Sequence, residues 1–319
     1  MPFMSRLSLR YPISRFGITV LGLMIPAISA TPAIATPTLF SSVLAATPPA
    51  NANPSDETLQ NLIEQGEQAI EQDDYARAEQ IWRQVIAQDP DNANAYSRLG
   101  NTLREQEQLE AAIAAYEQAL SIDETLADAY NGLGVTRNRM GELDAAIELH
   151  QQAIALAPDL ASAYNNLGVA LAKQGQLSDG QSAFQQAIDL DPDYANAYNN
   201  LGIVLRQQGE LEAAIVAYRQ AIELDPDDAT THNNLGVALY TQNQLSEAIA
   251  AYEQALELDP DYASAYNNLG NAQLLQNNFE EAAIAYREAL RLRPNYPNAQ
   301  QNLQLIERIL ELQPSPSQP

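Results

Sequence analysis

From residue 59 onwards the dipeptide Leu-Gly occurs six times, and each occurrence starts 34 residues after the one before. The occurrences are 99–100, 133–134, 167–168, 201–202, 235–236 and 269–270, and Gly66 extends the series by one step. A fixed period of this length is typical of stacked small units, because one such unit cannot bury its apolar face alone. The period therefore predicts a repeat architecture rather than a single globular core.

Three further positions keep the same period. Twelve residues after the glycine stands a small residue, in the series Ala78, Ala112, Ala146, Gly180, Ala214, Ala248 and Ala282. Sixteen residues after it stands a ring, in the series Trp82, Tyr116, His150, Phe184, Tyr218, Tyr252 and Tyr286. A proline closes most units, at Pro90, Pro158, Pro192, Pro226, Pro260 and Pro294.

Each unit is predicted to hold two helices. The stretch YNNLGVAL carries apolar residues at i, i+3 and i+7, which is the stripe of an amphipathic helix. Left-handed residues suit the end of such a helix, and Gly or Asn stands there in five units, at Gly141, Gly175, Gly209, Asn243 and Asn277. A second amphipathic stretch, such as LEAAIVAYRQAIEL, then ends before Asp-Pro, which stops a helix.

With these residues the chain resembles a tetratricopeptide repeat (TPR) protein. The resemblance implies an all-α fold, in which antiparallel helix pairs coil into a right-handed α-α superhelix, or solenoid, with a concave groove. It predicts seven 34-residue helix-turn-helix units, at 59–92, 93–126, 127–160, 161–194, 195–228, 229–262 and 263–296. A polar C-terminal capping helix is predicted at 297–312, because the open end of such an array needs one.

The N-terminal sequence has a different character. Three arginines precede an apolar stretch that ends at the small-x-small site Ala33-Ile34-Ala35. This pattern predicts a signal peptide over 1–35, and an uncleaved N-terminal membrane anchor is the alternative. Either interpretation places the repeats on the far side of a membrane, in an extracytoplasmic compartment such as the periplasm.

The segments beside the repeats are rich in small and polar residues. A flexible linker of Pro, Ala and Thr is predicted over 36–58, and a disordered tail is predicted over 313–319.

Composition excludes several classes of function. Acidic residues outnumber basic ones 41 to 16, for a net charge of −25, and Lys173 is the only lysine. No nucleic acid is predicted as a partner, because a phosphate backbone binds clustered Arg and Lys. The absence of cysteine excludes thiol catalysis and a lipoprotein anchor. We predict a monomer that contacts a membrane only through its N-terminal segment, if that segment is not cleaved.

The TPR resemblance also implies where a partner binds, since the first helix of each unit lines the groove in that family. Amides at two consecutive groove positions are predicted to bind an extended peptide, because an amide pairs with both backbone groups. They are Asn131, Asn165, Asn166, Asn199, Asn200, Asn233, Asn234, Asn267 and Asn268. The alternative interpretation is that these asparagines support the packing between units.

Four bases stand near the ends of the first helices in units 2 to 5: Arg104, Arg139, Lys173 and Arg206. If they face the groove, the partner segment is acidic or ends in a C-terminal carboxylate. The other interpretation is that these cations complement the helix dipole.

We predict a non-catalytic scaffold for protein–protein interaction, without a cofactor or metal, that serves the assembly or maturation of an extracytoplasmic or membrane complex. The only histidines, His150 and His232, are read as packed ring residues rather than catalytic groups. Two alternatives stay open. The repeated Asp-Pro-Asp motif could bind divalent metal, as in a metal-handling periplasmic protein, or the array could be a passive spacer.

Overall fold

The structure, a computed structural model, describes residues 54–312. That part of the chain folds into fifteen α-helices and contains no strand. The helices are α1 Pro54–Glu71, α2 Tyr75–Gln88, α3 Ala93–Glu105, α4 Leu109–Ile122, α5 Ala127–Arg139, α6 Leu143–Leu156, α7 Ala161–Lys173, α8 Leu177–Leu190, α9 Ala195–Gln208, α10 Leu211–Leu224, α11 Ala229–Thr241, α12 Leu245–Leu258, α13 Ala263–Leu275, α14 Phe279–Leu292 and α15 Pro297–Leu312. The predicted all-α solenoid is confirmed.

Fourteen of these helices form seven pairs, one pair in each predicted unit, and α15 covers the predicted capping helix. The start of the array differs from the prediction, because α1 begins at Pro54, inside the segment 36–58 that was predicted to be a linker. A proline suits the first turn of a helix, where its missing N–H would have no partner. The predicted signal peptide or anchor and the tail lie outside the described residues.

Each helix packs against the next one along the chain. The first helices of successive units also contact each other, in a series that runs from α3 to α13, and the second helices of residues 54–312 show no such series. The first helices therefore line the inner side of the curved array, where neighbouring units come closest. We call the inner surface of α3, α5, α7, α9, α11 and α13 the groove.

The repeated glycine and the repeated ring pack directly against each other within every unit. A Cβ atom added to Gly202 would lie 2.6 Å from Cε1 of Tyr218, and one added to Gly100 would lie 2.7 Å from Cε1 of Tyr116. Both rings are fully buried. The glycine thus lets the backbone of the first helix rest on a ring supplied by the second helix.

The turn between the two helices of a unit contains one residue with positive φ. Gly209 has φ of 84° and ends α9 in the left-handed conformation, and Asn243 has φ of 61°. Asn277 confirms the prediction at the same position, whereas Asp73 and Glu107 take this conformation without the Gly or Asn that would have predicted it.

The capping helix α15 keeps the register of a first helix. Ala299 stands 34 residues after Ala265, and both are completely buried. Ile306 is also completely buried and closes the last hydrophobic cluster of the array. Among residues 54–312, no helix is both long and apolar enough to span a membrane.

Candidate partner-binding groove

The predicted partner-binding residues all lie on the first helices, from Arg104 on α3 to Asn268 on α13. The structure thus places them on the elements that line the groove. Their side chains, however, are mainly engaged with one another, and the pattern divides the groove into two regions.

In units 4 to 7 the asparagines form a ladder between neighbouring units. The second Asn of each NN pair donates its Nδ2–H to Oδ1 of an Asn 35 residues earlier, in the preceding unit. The four bonds are Asn166 to Asn131 at 3.1 Å, Asn200 to Asn165 at 3.0 Å, Asn234 to Asn199 at 3.1 Å, and Asn268 to Asn233 at 3.0 Å. We call these eight residues the asparagine ladder, and it links each of units 4 to 7 to the unit before it.

Burial separates the two kinds of ladder residue. The acceptors Asn165, Asn199 and Asn233 are between 1% and 9% exposed, so their amides belong to the interface between units. The donors Asn166 and Asn200 are half-buried and use one N–H in the ladder. Within the described residues, their oxygen and second N–H make no hydrogen bond.

The ladder ends at both sides for identifiable reasons. Asn302 of the capping helix stands where the next donor would be, but it donates to Asn271 Oδ1 at 3.1 Å instead, so the buried Oδ1 of Asn267 has no partner. In unit 3 the donor position is Gly132, where a Cβ would lie 2.6 Å from Cε1 of Tyr116. An asparagine therefore does not fit there.

In units 2 and 3 the bases are neutralised by two acids of unit 2, Glu105 on α3 and Glu107 in the turn after it. Arg104 donates from Nε and Nη2 to Oε1 of Glu105 at 3.0 and 2.9 Å. Arg139 donates from Nη2 to Oε2 of Glu105 and from Nη1 to Oε1 of Glu107, both at 3.1 Å. Two positive and two negative charges cancel in this arginine–glutamate cluster, so neither Arg104 nor Arg139 offers a free charge to a partner.

Sequence reasoning missed this cluster, although a signal for it exists. Arg139 and Glu105 are 34 residues apart, at the same position of neighbouring units, and both end a first helix. A scan for opposite charges at an offset of one repeat would have found the pair.

The bases of units 4 and 5 have no acidic partner within residues 54–312. Lys173 is exposed and donates from Nζ to Asn138 Oδ1 at 2.8 Å. Partial burial, together with the charge of Arg139, lowers the pKa of the Lys173 ammonium. Arg206 is half-buried, and its Nε–H is buried without a hydrogen-bond partner. The predicted basic character of the groove thus reduces to these two residues.

Both histidines make structural hydrogen bonds. His150 is fully buried against Gly134, its Nδ1 lies 2.9 Å from Asn131 Oδ1, and burial lowers its pKa to about 3. His232 is half-buried, with Nε2 at 2.9 Å from the carbonyl oxygen of Pro226. His150 occupies the ring position of its unit, and His232 holds the loop that precedes α11.

The aspartates of the Asp-Pro-Asp motifs close the turns between units. Asp259 Oδ1 accepts the backbone N–H of Asp261 at 3.0 Å, and Asp191 and Asp225 accept the N–H two residues later in the same way. In the part of the chain that the structure describes, no group of three or more His, Asp or Glu residues is arranged to hold a metal ion.

The family model of the Cilia and flagella-associated protein 70 C-terminal domain, a TPR domain, matches residues 40–305. The chain belongs to this tetratricopeptide repeat family. A search of the curated proteins finds no match.

Solved TPR structures share the fold. The protein is 22% identical to one subunit in the structure of the APC/C hetero-tetramer Cut9-Hcn1, with a TM-score of 0.67, over 78% of this protein and 48% of that subunit, about half its length. PilF of Pseudomonas aeruginosa is also 22% identical, with a TM-score of 0.60, over 66% of this protein and 95% of PilF. YrrB, described as a TPR protein with an unusual peptide-binding site, is 22% identical, with a TM-score of 0.50, over 60% of this protein and 99% of YrrB.

Proposed function

We propose that this TPR protein is a non-catalytic scaffold that binds an extended segment of another protein along the groove of units 4 to 6. TPR proteins generally serve as interaction scaffolds without catalytic activity, and YrrB, a protein of the same fold, has a peptide-binding site. The binding mode and the role of this protein go beyond that general function.

One observation carries the proposal. In units 4 and 5, within the described residues, the oxygen and second N–H of Asn166 and Asn200 have no hydrogen-bond partner, and Lys173 and Arg206 have no acidic partner. Amides repeated once per unit offer a donor and an acceptor at regular intervals, which suits the backbone of an extended peptide. The proposed partner segment therefore spans several units. Its sequence can vary widely, apart from the acidic groups that pair with the bases.

The compartment is a second part of the proposal. The basic and apolar N-terminal sequence supports export, and a scaffold outside the cytoplasm would serve the assembly or maturation of a membrane or exported complex. Fractionation of the source cells, with N-terminal sequencing of the protein, tests it. We expect the protein in the extracytoplasmic fraction, either beginning after a small residue near Ala35 or retaining its N-terminus in the membrane. Recovery of the protein in the cytoplasmic fraction would contradict the proposed compartment.

Site-specific photo-crosslinking in cells tests the groove. A photoreactive residue replaces Lys173, which is exposed in the groove, and in the matched control it replaces Val216, which is 66% exposed on the second helix α10. We expect a discrete crosslinked partner from position 173 and none from position 216.

The control also separates the proposal from the alternative of a passive spacer. A spacer touches other proteins at its ends or on its outer face, so position 173 would give no adduct. Equal adducts from positions 173 and 216 would show association without use of the groove, and they would overturn the proposal.

A further inference from the structure

The array contains the same Arg–Tyr combination twice. Arg104 of unit 2 and Arg206 of unit 5 occupy the same position of their first helices, and each is followed twelve residues later by the ring tyrosine, Tyr116 or Tyr218. Because repeats share one backbone, the two places form a matched pair in which only the surrounding side chains differ.

In unit 2 both members of the combination are satisfied from within. The Tyr116 hydroxyl donates to Asn101 Oδ1 at 2.7 Å, and Arg104 donates to it from Nη1 at 3.3 Å. The other edge of the Arg104 guanidinium, formed by Nε and Nη2, holds Oε1 of Glu105. The carboxylate of Glu105 thus occupies the acceptor position of this site.

In unit 5 both acceptors are missing. Ile203 stands where unit 2 has Asn101, and Gln207 stands where unit 2 has Glu105. Among the described residues, the buried Tyr218 hydroxyl has the Arg206 guanidinium as its hydrogen-bonding neighbour but no acceptor for its own proton, and Nε of Arg206 is buried and unpaired. Buried donors without partners are rare in folded proteins, because each one costs free energy.

We propose that unit 5 binds a carboxylate of the partner on the Nε edge of Arg206, in the position that the Glu105 carboxylate occupies in unit 2. This inference rests on the proposed function, because it names the group that the groove of units 4 to 6 recognises. The side chain of an Asp or Glu shares this chemistry with the terminal carboxylate of a peptide, and either can accept the two parallel hydrogen bonds of a guanidinium edge.

The charge of the surroundings agrees with this assignment. Within the described residues Arg206 has no acidic partner, so its positive charge is available to a ligand. Burial raises the pKa of the Tyr218 hydroxyl to about 12, and the nearby Arg206 guanidinium opposes that shift. The hydroxyl therefore keeps its proton at neutral pH. The net charge of −25 repels acidic ligands at long range, but 0.15 M salt screens charges beyond about 8 Å.

Arginine side-chain NMR on the full ¹⁵N-labelled protein tests the site. The Nε–H signals of Arg206 and Arg104 are followed in one sample at 0.15 M salt during titration with three small probes. N-acetylglutamic acid amide carries a side-chain carboxylate, N-acetylalanine carries a terminal carboxylate, and N-acetylalanine amide carries neither. We expect a saturable shift of the Arg206 signal with one or both acids, no shift with the amide, and no shift of the Arg104 signal.

Two exchanges between the matched units sharpen the test. Gln207→Glu gives unit 5 the internal carboxylate of unit 2 and should weaken probe binding at Arg206 about tenfold or more, since a charged hydrogen bond is lost to the ligand. Glu105→Gln should make the Arg104 signal respond to the same acids. Circular dichroism verifies that both variants remain helical.

The wild-type protein alone can overturn the inference, so its test does not depend on variants that fold. An Arg206 signal that stays still, or that moves together with the Arg104 signal, would contradict a carboxylate site in unit 5. An unchanged response in Gln207→Glu would contradict the assigned position. If Lys173 crosslinks a partner while Arg206 ignores every acid, the carboxylate site fails and the scaffold function stands. The reverse result would leave a carboxylate site in a groove without a protein partner.

Discussion

Units 2 and 3 and units 4 to 6 share one backbone and treat their groove side chains in opposite ways. The first region neutralises itself, through the arginine–glutamate cluster and the bond from Tyr116 to Asn101. The second joins its units through uncharged amides, and within residues 54–312 its Lys173 and Arg206 have no acidic partner. The difference teaches that the contact between the repeated glycine and the buried ring defines the repeat. The groove side chains can vary without changing that contact, so they either pair with one another or stay unpaired.

The contact that both regions share should give the largest effect when it is broken. Gly100→Ala and Gly202→Ala would each place a Cβ within 2.7 Å of a buried tyrosine ring. We expect each variant to lose about 3 kcal/mol of the free energy of unfolding, because overpacking forces the two helices apart. Chemical denaturation measures both. Costs that differ by more than about 1 kcal/mol would show that the two regions do not share this scaffold.

Glu105→Gln should act on the first region alone. It leaves Arg104 and Arg139, which are 12% and 17% exposed, without the carboxylate that separates their charges. We expect a loss of about 2 kcal/mol, less than for a fully buried pair because solvent screens part of the interaction. The same denaturation experiment on Glu247→Gln is the control, since Glu247 pairs with Arg219 at a site where both side chains are 57% exposed. An equal loss in both variants would contradict the role of the cluster.

The free energy of unfolding should depend on pH through His150, which lies in unit 3 beside the boundary between the two regions. His150 is neutral in the folded state because burial lowers its pKa to about 3, whereas an unfolded histidine titrates near 6.5. The unfolded chain therefore binds the extra proton first, and stability contributed by neutral His150 is lost as the pH falls below about 6.5. Between pH 7.5 and 5.5 we expect this group to cost about 1.4 kcal/mol.

The variant His150→Phe isolates this effect, because unit 4 already holds Phe184 at the same ring position. Stability is measured for both proteins at the two pH values, and the difference of differences reports His150. If the variant loses as much stability as the wild type, other groups titrate and the histidine does not.

The asparagine ladder of the second region should give a smaller effect for each rung. Asn200→Ala removes one bond between units and leaves the buried Asn165 oxygen without a partner, at a cost of about 1 kcal/mol. Asn196→Ala is the matched control on the same helix, because Asn196 makes no hydrogen bond among the described residues, and we expect less than about 0.5 kcal/mol. Equal effects of the two substitutions on the denaturation midpoint would mean that the ladder adds nothing to the stack.

The sequence predicted the helices well and the groove only in part, for physical reasons. The glycine, ring and proline positions recur because every unit repeats one packing contact, so their spacing predicts α3 to α14 and the capping helix. The start of α1 at Pro54 escaped prediction, because that stretch precedes the first repeat position.

The groove depends on which side chains meet across neighbouring units, and a single unit does not show this. The asparagines were predicted to face a partner, with packing as the alternative. In the structure Asn165 is buried between units, whereas the oxygen and second N–H of Asn200 make no hydrogen bond within residues 54–312. Arg104 and Arg206 occupy the same repeat position, and the side chains around them differ, because Asn101 and Glu105 of unit 2 are replaced by Ile203 and Gln207 in unit 5.

Hydrogen–deuterium exchange tests the central claim of groove binding most directly. The full-length protein is compared with and without a synthetic peptide that copies the partner segment crosslinked at position 173. We expect slower exchange in the first helices α7, α9 and α11, and unchanged exchange in the second helices α8, α10 and α12. Protection confined to the second helices, or to units 2 and 3, would contradict the account.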